Sequence, residues 1–495
     1  MPERATVVNR SEKSAEAVVG DVSRPRAERE GQPREVSLGE ARHQKPAKPK
    51  GGPGRAGAGS GEAAPEAASD EAALARHDQT SCGADDLLGR ALARENVVRA
   101  WKRVKANKGS AGVDGRTVLG TGEYLKQAWP DIRQRLLDGT YKPEPVRRVG
   151  LPKPDGGTRE LGIPTVVDRL IQQALLQVLQ PLIDPSFSAH SYGFRPGRSA
   201  QQAVLAAKAH VEAGYRTVVD VDLEKFFDRV NHDILMDRLA KRIADKRVLR
   251  LIRRYLQAGI LMHGVCIERH EGTPQGGPLS PLLANVLLDE VDRELERRGH
   301  RFVRYADDCN VYVRSRRAGE RVLQALRGCY ARLALKVNES KTAVGPVWGR
   351  KFLGYCFWAA SRGNVHCSVA RKSLAHLRER LRELTARQRG RSLAQVVEDL
   401  QAYVPGWKAY FRLAANVAVR YDLDKWLRHR LRALQLKHWK RGPTIYRELR
   451  RLGASDEDAR FVAANARRWW HNSAMRLNRA LPVAYFERLG VPRFS

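Results

Sequence analysis

Residues 301–315 read RFVRYADDCNVYVRS, two short runs of alternating apolar residues around an acidic tip. Alternation with a period of two is the signature of strands, and two such runs joined by a tight turn make a hairpin. The tip holds Asp307 and Asp308 side by side. Adjacent carboxylates repel, so a hairpin that presents them needs a compensating charge. Solvated acidic turns are common, but Tyr-Ala-Asp-Asp between two apolar strands is a far rarer arrangement.

A third acid lies upstream. In TVVDVDLEKFFDRV (217–230), Val218, Val219 and Val221 predict a strand that ends at Asp222. Asp220 and Asp222 fall on one side of it by strand periodicity. If this strand pairs with the hairpin, Asp222 and Asp307 can hold two divalent cations about 4 Å apart. Oxygen ligands suit Mg²⁺, which also keeps water and substrate phosphates in its shell. In-line nucleotidyl transfer uses such a pair.

Composition agrees with a polyanionic partner. The 495 residues include 89 Lys and Arg against 55 Asp and Glu, a formal charge of +34. Each phosphate neutralised by such a surface releases counterions. An anionic membrane would also attract it, but the sequence has no long uncharged apolar run, and its first residues lack the apolar stretch of a signal peptide. The chain therefore reads as soluble and cytoplasmic, with no membrane partner. The cysteines, Cys82, Cys266, Cys309, Cys329, Cys356 and Cys367, show no metal-binding or disulfide spacing and are expected reduced.

Residues 1–80 are rich in Ala, Gly, Pro, Glu, Arg and Ser and are expected to form a disordered tail. Helices are expected from about Asp85 to Lys105, from Tyr124 to Leu137, over DRLIQQALLQVLQPLI, from Arg247 to Leu261 and over GGPLSPLLANVLLDEVDRELERR. A hairpin is expected between Pro145 and Leu161, and one further strand at KFLGYCFW. Beyond about Arg371 the chain reads as helical, and residues 361–495 carry 29 Lys and Arg against 11 Asp and Glu. This order predicts an α/β (α+β) body over 81–360, a helical domain over 361–455, and a basic, aromatic segment over 456–495 able to meet DNA.

TVVDVDLEKFFDRV, TPQGGPLSPLLANVLLD, RYADDCNVYV, KVNESKT and KFLGY occur in that order and resemble the palm motifs of group II intron reverse transcriptases. LPKPDGGTRELGIPTVVDRLIQQAL and HSYGFRPGRSAQQAV resemble the finger motifs of the same family. The resemblance implies a right-hand polymerase whose antiparallel palm sheet is followed by an α-helical thumb. It implies an RNA-directed DNA polymerase and maturase that uses two Mg²⁺ ions. The partners implied are group II intron RNA, an RNA template with a DNA primer, dNTPs and target DNA.

Carried over residue by residue, Asp222, Asp307 and Asp308 match the catalytic and metal-binding triad, with the Leu223 carbonyl as an extra ligand. Lys153 and Arg159 match the pair that grips the triphosphate. Phe227 matches the aromatic beneath the sugar; Phe226 competes for that role, and a core position is the other reading. Gln275 matches a nucleotide-pocket residue and Lys341 a lysine near the pyrophosphate. Arg195 and Arg198 are expected at template or phosphates, unless they pack on the fingers. Lys108 to Gly115 resemble an extension laid over the template.

QAYVPGWKAYFRLA (401–414) resembles the maturase-specific domain, with Tyr403, Trp407 and Tyr410 on one helical face and Trp407 and Tyr410 read as core. The basic helix after it offers Arg428, Arg430, Arg432, Lys437, Lys440 and Arg441 to intron RNA. The last segment resembles relatives without a His-Asn-His endonuclease. A splicing factor without polymerase activity and a retron-like or defence reverse transcriptase are the competing readings. The intact acids oppose the first, and the maturase-type thumb opposes the second.

Overall fold

A computed structural model describes residues 86–152, 158–262, 265–267, 271–274, 276–360, 364–473 and 476–495. The expected tail over 1–80 lies outside the described residues.

Strand β1 (Val146–Pro152) and strand β2 (Thr158–Ile163) form the expected hairpin, in register from Arg147↔Ile163 to Pro152↔Thr158. The helix after it, Val166–Ile183, begins where Thr165 accepts a hydrogen bond from the Asp168 N–H. A Ser–Gln capping box, Ser199 with Gln202, starts the helix Ala200–Glu212. Strand β3 (Thr217–Val221) follows. The helix expected to reach Leu261 stops at Gln257, and Ile260–Met262 forms β4 instead. Strand β5 is Val265–Ile267, and the first sheet has the order β2-β1-β4-β5. The β-branched and apolar residues after Gln257 pair better with β1 than they extend a helix whose apolar face is already spent.

The second sheet holds the acids. Strand β6 (Arg301–Tyr305) and strand β7 (Asp308–Val313) make the hairpin, and β8 (Ala343–Pro346) closes the order β6-β7-β3-β8. All of its pairings are antiparallel. KFLGYCFW is two strands and not one: β9 (Lys351–Phe352) and β10 (Tyr355–Ala359) flank a turn with Leu353 at φ 48° and Gly354 at φ 80°. Strand β11 (Val365–Val369) completes a third sheet, so a boundary at 360/361 cuts a hairpin. The segment expected as one helix near 85–105 is two, Leu87–Leu92 and Arg94–Ala106, broken at Ala93; the next starts at Val118.

Alternation on the second sheet divides two cores. Val219, Val221, Val311 and Phe302 face one core with the helices Ser280–Arg297 and Arg316–Arg332. Val218, Tyr312 and Val303 face the other, which continues through the third sheet into the C-terminal helices. Tyr403, Trp407 and Tyr410 belong to that second core, as their helical spacing predicts. The joint between sheet and thumb is bonded: Gln201 donates to the Tyr410 carbonyl at 2.9 Å and the Tyr410 hydroxyl to the Leu353 carbonyl at 3.1 Å. Among the described residues no helix is long and apolar enough to cross a membrane.

Beneath the fingers sits a buried polar knot. The Asp168 carboxylate accepts from the Tyr141 hydroxyl at 2.8 Å and the Thr165 hydroxyl at 2.7 Å. Burial pushes its pKa from 3.8 up to about 6, against the pull of those donors. A raised folded-state pKa stabilises the fold fully below 3.8 and loses that contribution as pH rises through about 6. Replacing Asp168 with Asn removes the titration. In urea unfolding, the wild type should therefore lose about 2 kcal/mol relative to Asp168→Asn between pH 4 and pH 7. A constant difference across that range refutes the assignment.

Candidate active site

The register of β3 against β7 ends at Val221↔Cys309, so Asp222 continues beside Asp308. Asp308 itself pairs with Tyr305 across a two-residue turn of Ala306 and Asp307. Asp220, Asp222 and Asp308 thus share one face of the sheet at one end, and Asp307 caps the turn. Asp307 is buried and Asp222 and Asp308 are partly so. Burial raises Asp220 to about 6, with Arg350 opposing and the Asp222 charge adding.

Asp222 is held from behind. Asp222 accepts from the Asn338 side-chain amide at 3.1 Å, and its carbonyl accepts the Asn338 backbone N–H at 2.8 Å. Leu223 bridges Val337 through bonds made by its two neighbours, Asp222 C=O and Glu224 N–H, so neither draws on the Leu223 carbonyl. Asn338 stands in the NESKT motif, and sequence reasoning passed over it for Lys341. Lys341 is exposed, its backbone N–H bonded to the Asn338 carbonyl at 3.2 Å.

The hairpin turn is held by Arg304, which sits fully buried. Its Nε and Nη2 meet both oxygens of Asp292, between 2.6 and 3.0 Å, while Nη1 donates to Asn285 Oδ1 and to the Ala306 carbonyl, each at 2.8 Å. Asn285 in turn donates to the Gly193 carbonyl at 2.9 Å. A Cβ on Gly193 would stand 2.1 Å from the Ala306 nitrogen, so only glycine lets YGF lie against the turn.

The other expected residues divide. Phe226 and Phe227 are both buried in an edge-to-face pair, 5.1 Å between centroids, and the Phe227 carbonyl accepts Thr273 N–H at 2.7 Å. Gly276, at φ 134°, lies against β2: a Cβ there would lie 2.8 Å from the Gly162 oxygen. Lys153 and Gln275 lie outside the described residues, as does the Arg159 side chain, although its backbone is in β2. The Lys108–Gly115 loop lies on the fingers, where Arg169 Nη2 donates to the Ser110 carbonyl at 2.6 Å.

Arg195 is a correction. Expected at template or phosphate, it is buried, pairs with Asp184 at 2.9 Å and donates to the carbonyls of Ser188, Ser191 and Asp184. Arg198 is half-buried, bonded to the Ala189 carbonyl at 2.6 Å. Arg432 is also buried, donating to the Leu481 carbonyl at 2.9 Å; burial lowers its pKa to about 10. Arg430 donates to Thr385 Oγ1 at 2.6 Å and the Arg382 carbonyl at 3.2 Å, and Lys437 donates to the Arg387 carbonyl. Of the six cations expected to face RNA, Lys440 and Arg441 are exposed and Arg428 is half-buried.

Among the described residues no group of three or more His, Cys, Asp or Glu could hold a metal ion as placed. The donor chemistry of Asp222, Asp307 and Asp308 nonetheless fits a hard cation: all are carboxylates, gathered at one sheet end.

Comparison with known proteins agrees with this geometry. A model of the reverse transcriptase (RNA-dependent DNA polymerase) family matches residues 151–357, and one of the group II intron, maturase-specific domain matches residues 374–453. The chain carries a reverse transcriptase domain joined to a group II intron maturase domain. It is similar to Protein YkfC of Escherichia coli, 38% identical over 210 residues, which cover 41% of this chain and 55% of that one. It is similar to the group II intron-encoded protein LtrA of Lactococcus lactis subsp. cremoris, 39% identical over 197 residues, or 39% of this chain and 32% of LtrA. A putative COX1/OXI3 intron 1 protein of Saccharomyces cerevisiae is 32% identical over 202 residues, 40% of this chain and 24% of that protein. The matched stretches thus span from about a quarter to about half of these relatives. Within this reverse transcriptase domain lie Asp222, Asp307, Asp308 and the Arg304–Asp292 pair.

Breaking one partner of a buried ion pair strands the other. Arg304→Met should lower unfolding stability by about 3–5 kcal/mol in urea titration, and adding Asp292→Leu should restore part of it. A loss under about 1 kcal/mol in the single variant would show that Arg304 does not hold the turn.

Proposed function

We propose that this chain copies RNA into DNA and assists a group II intron RNA to splice and move. The observation that carries the reading is the register that sets Asp222 beside the Asp307–Asp308 turn, inside a reverse transcriptase domain followed by a maturase domain.

In this reading Asp222, Asp307 and Asp308 hold two Mg²⁺ ions, with the Leu223 carbonyl available as a further oxygen ligand. Bound there, the ions would activate the primer 3′-hydroxyl and stabilise the leaving pyrophosphate. Asn338 keeps the Asp222 carboxylate turned to the sheet end. Gly276 approaches the fingers hairpin, and Gln275 would belong to the nucleotide pocket. Lys153, Arg159 and the exposed Lys341 serve the triphosphate of an incoming dNTP. Phe227 packs where a sugar lacking a 2′-hydroxyl would be favoured. Template RNA and DNA primer occupy the cleft, with Arg198 at its edge. Intron RNA meets the thumb through Lys440, Arg441 and the half-buried Arg428, and target DNA meets residues 456–495.

Asp222→Asn and Asp307→Asn should each abolish Mg²⁺-dependent dNTP incorporation in primer extension on an RNA template while RNA binding persists. Asn338→Ala should reduce incorporation about 10- to 100-fold and raise the Mg²⁺ requirement. Full activity in either aspartate variant would place the site elsewhere.

The thumb cations separate by exposure. Lys440→Gln with Arg441→Gln should leave stability unchanged and flatten the salt dependence of intron RNA binding by about one unit of slope per charge. Arg432→Ala should instead lower stability. The reverse pattern would return Arg432 to the RNA surface.

A further inference from the structure

The third sheet turns one face to the thumb core and the other outward. Along β10, Tyr355 and Phe357 are buried, which leaves Cys356 and Trp358 on the opposite side; along β11, Val365, Cys367 and Val369 are buried and His366 and Ser368 are not. The outward face borders a groove of about 840 Å³. Trp348 and Trp358 line it together with Lys351, Arg371 and Lys372. Among the described residues no Asp or Glu does so, in a chain with 55 of them.

Two features of this groove ask for a ligand. Trp358 stacks on His366, its cross-strand partner, with centroids 5.0 Å apart and planes 27° apart, yet stays 44% exposed. One stacked partner orders the indole and leaves a large apolar surface in water. Second, Arg371 and Lys372 open the helix Arg371–Leu384, whose first turn has no acid and whose start has no side-chain cap. Cations at the positive end of a helix are unfavourably placed unless an anion joins them. Cys356 also lines the groove; burial raises the pKa of its thiol, with Lys351 and Arg371 opposing.

We propose that this groove binds one unpaired strand of nucleic acid, a base stacking on Trp358 and the flanking phosphates resting on Arg371 and Lys372. An acidic peptide could meet Arg371 and Lys372 but would leave the ordered, exposed indole without a role. A duplex would keep its bases stacked on one another. Aromatic platforms beside cations bind single strands with little regard to sequence, because every base has a π-face. None of Asp222, Asp307 and Asp308 lines the groove, so its loss and the loss of polymerisation are separate outcomes.

The test uses the full-length chain and short oligonucleotides of one sequence carrying iodouracil, as RNA, as DNA and as the hybrid duplex. After irradiation, cross-linked peptides are mapped by mass spectrometry. The expected result is a cross-link at Trp358 or His366 from a single strand and none from the duplex. The RNA and DNA arms identify which strand is held. Trp358→Ala should cut the yield at His366 about fivefold or more, and Trp358→Phe should restore it. Arg371→Gln with Lys372→Gln should lower the yield and its salt dependence, while dNTP incorporation on a short template matches wild type. No cross-link to this sheet from either single strand overturns the proposal, as does an equal yield from the duplex or an unchanged yield in Trp358→Ala.

Discussion

Arg304 is a cation on the buried face of a strand, next to Phe302, and the acidic hairpin depends on how it is satisfied. Taking a guanidinium out of water costs several kcal/mol, more than a single neutral hydrogen bond returns. Here the fork meets both oxygens of Asp292, and its remaining arm reaches Asn285 and the Ala306 carbonyl. Asp292 and Asn285 stand on the helix Ser280–Arg297, so one side chain ties that helix to the turn that carries Asp307. The same network runs through Asn285 to Gly193, whose missing Cβ lets a second backbone approach the turn. A fork bound at four points has one orientation, which is worth more for placing carboxylates than for net stability.

The sheet above this network is covered on both sides, and the two sides do different things. The side with Val219, Val221 and Val311 packs on palm helices and sets the height of the strands. The other begins with Val218, Tyr312 and Val303 in the thumb core and continues through Asp220 and Asn310 to Asp222 and Asp308. Apolar cover gives way to carboxylate along a single face. Tyr305, opposite Asp308, packs against the thumb core, and burial raises its pKa with the Asp308 charge adding. The joint of palm and thumb therefore reaches the acids themselves, and the bonds from Gln201 and Tyr410 brace the site as well as the domain.

The acidic hairpin and the strand ending at Asp222 were legible because both signals are local. A period of two, a two-residue turn and the placement of Val residues determine register without knowledge of the rest of the chain. Arg304 was written in the same stretch but pointed the other way. An arginine in phase with Phe302 and out of phase with the exposed positions demands a buried acid, and Asp292 lies in a helix that reads as merely amphipathic. The splitting of KFLGYCFW was hidden because Leu353 takes φ 48°, a conformation that only the finished turn makes affordable. The helix ending at Gln257 was overextended because Ile260 and Leu261 fit a helical face as well as a strand, and only pairing with β1 decides between them. Asn338 was passed over because its role needs Asp222 beside it, more than a hundred residues away in the chain.

The arginines of the thumb show why charge and contact must be kept apart. Residues 428, 430 and 432 advance about 200° at each step around a helix, so the three cannot share a face. Arg432 turns inward to the Leu481 carbonyl, Arg430 turns to the Arg382 carbonyl in the last turn of the helix Arg371–Leu384, and Lys437 turns to the Arg387 carbonyl just beyond that helix. A guanidinium bonded to a carbonyl keeps its charge, because a carbonyl removes none. These side chains therefore continue to contribute to the positive field that draws a polyanion, although they cannot close on its phosphates. The surplus along 361–495 measures that field. Lys440 and Arg441 are the exposed cations of the set, and they stand at the far end of the helix whose inward arginines hold it in place.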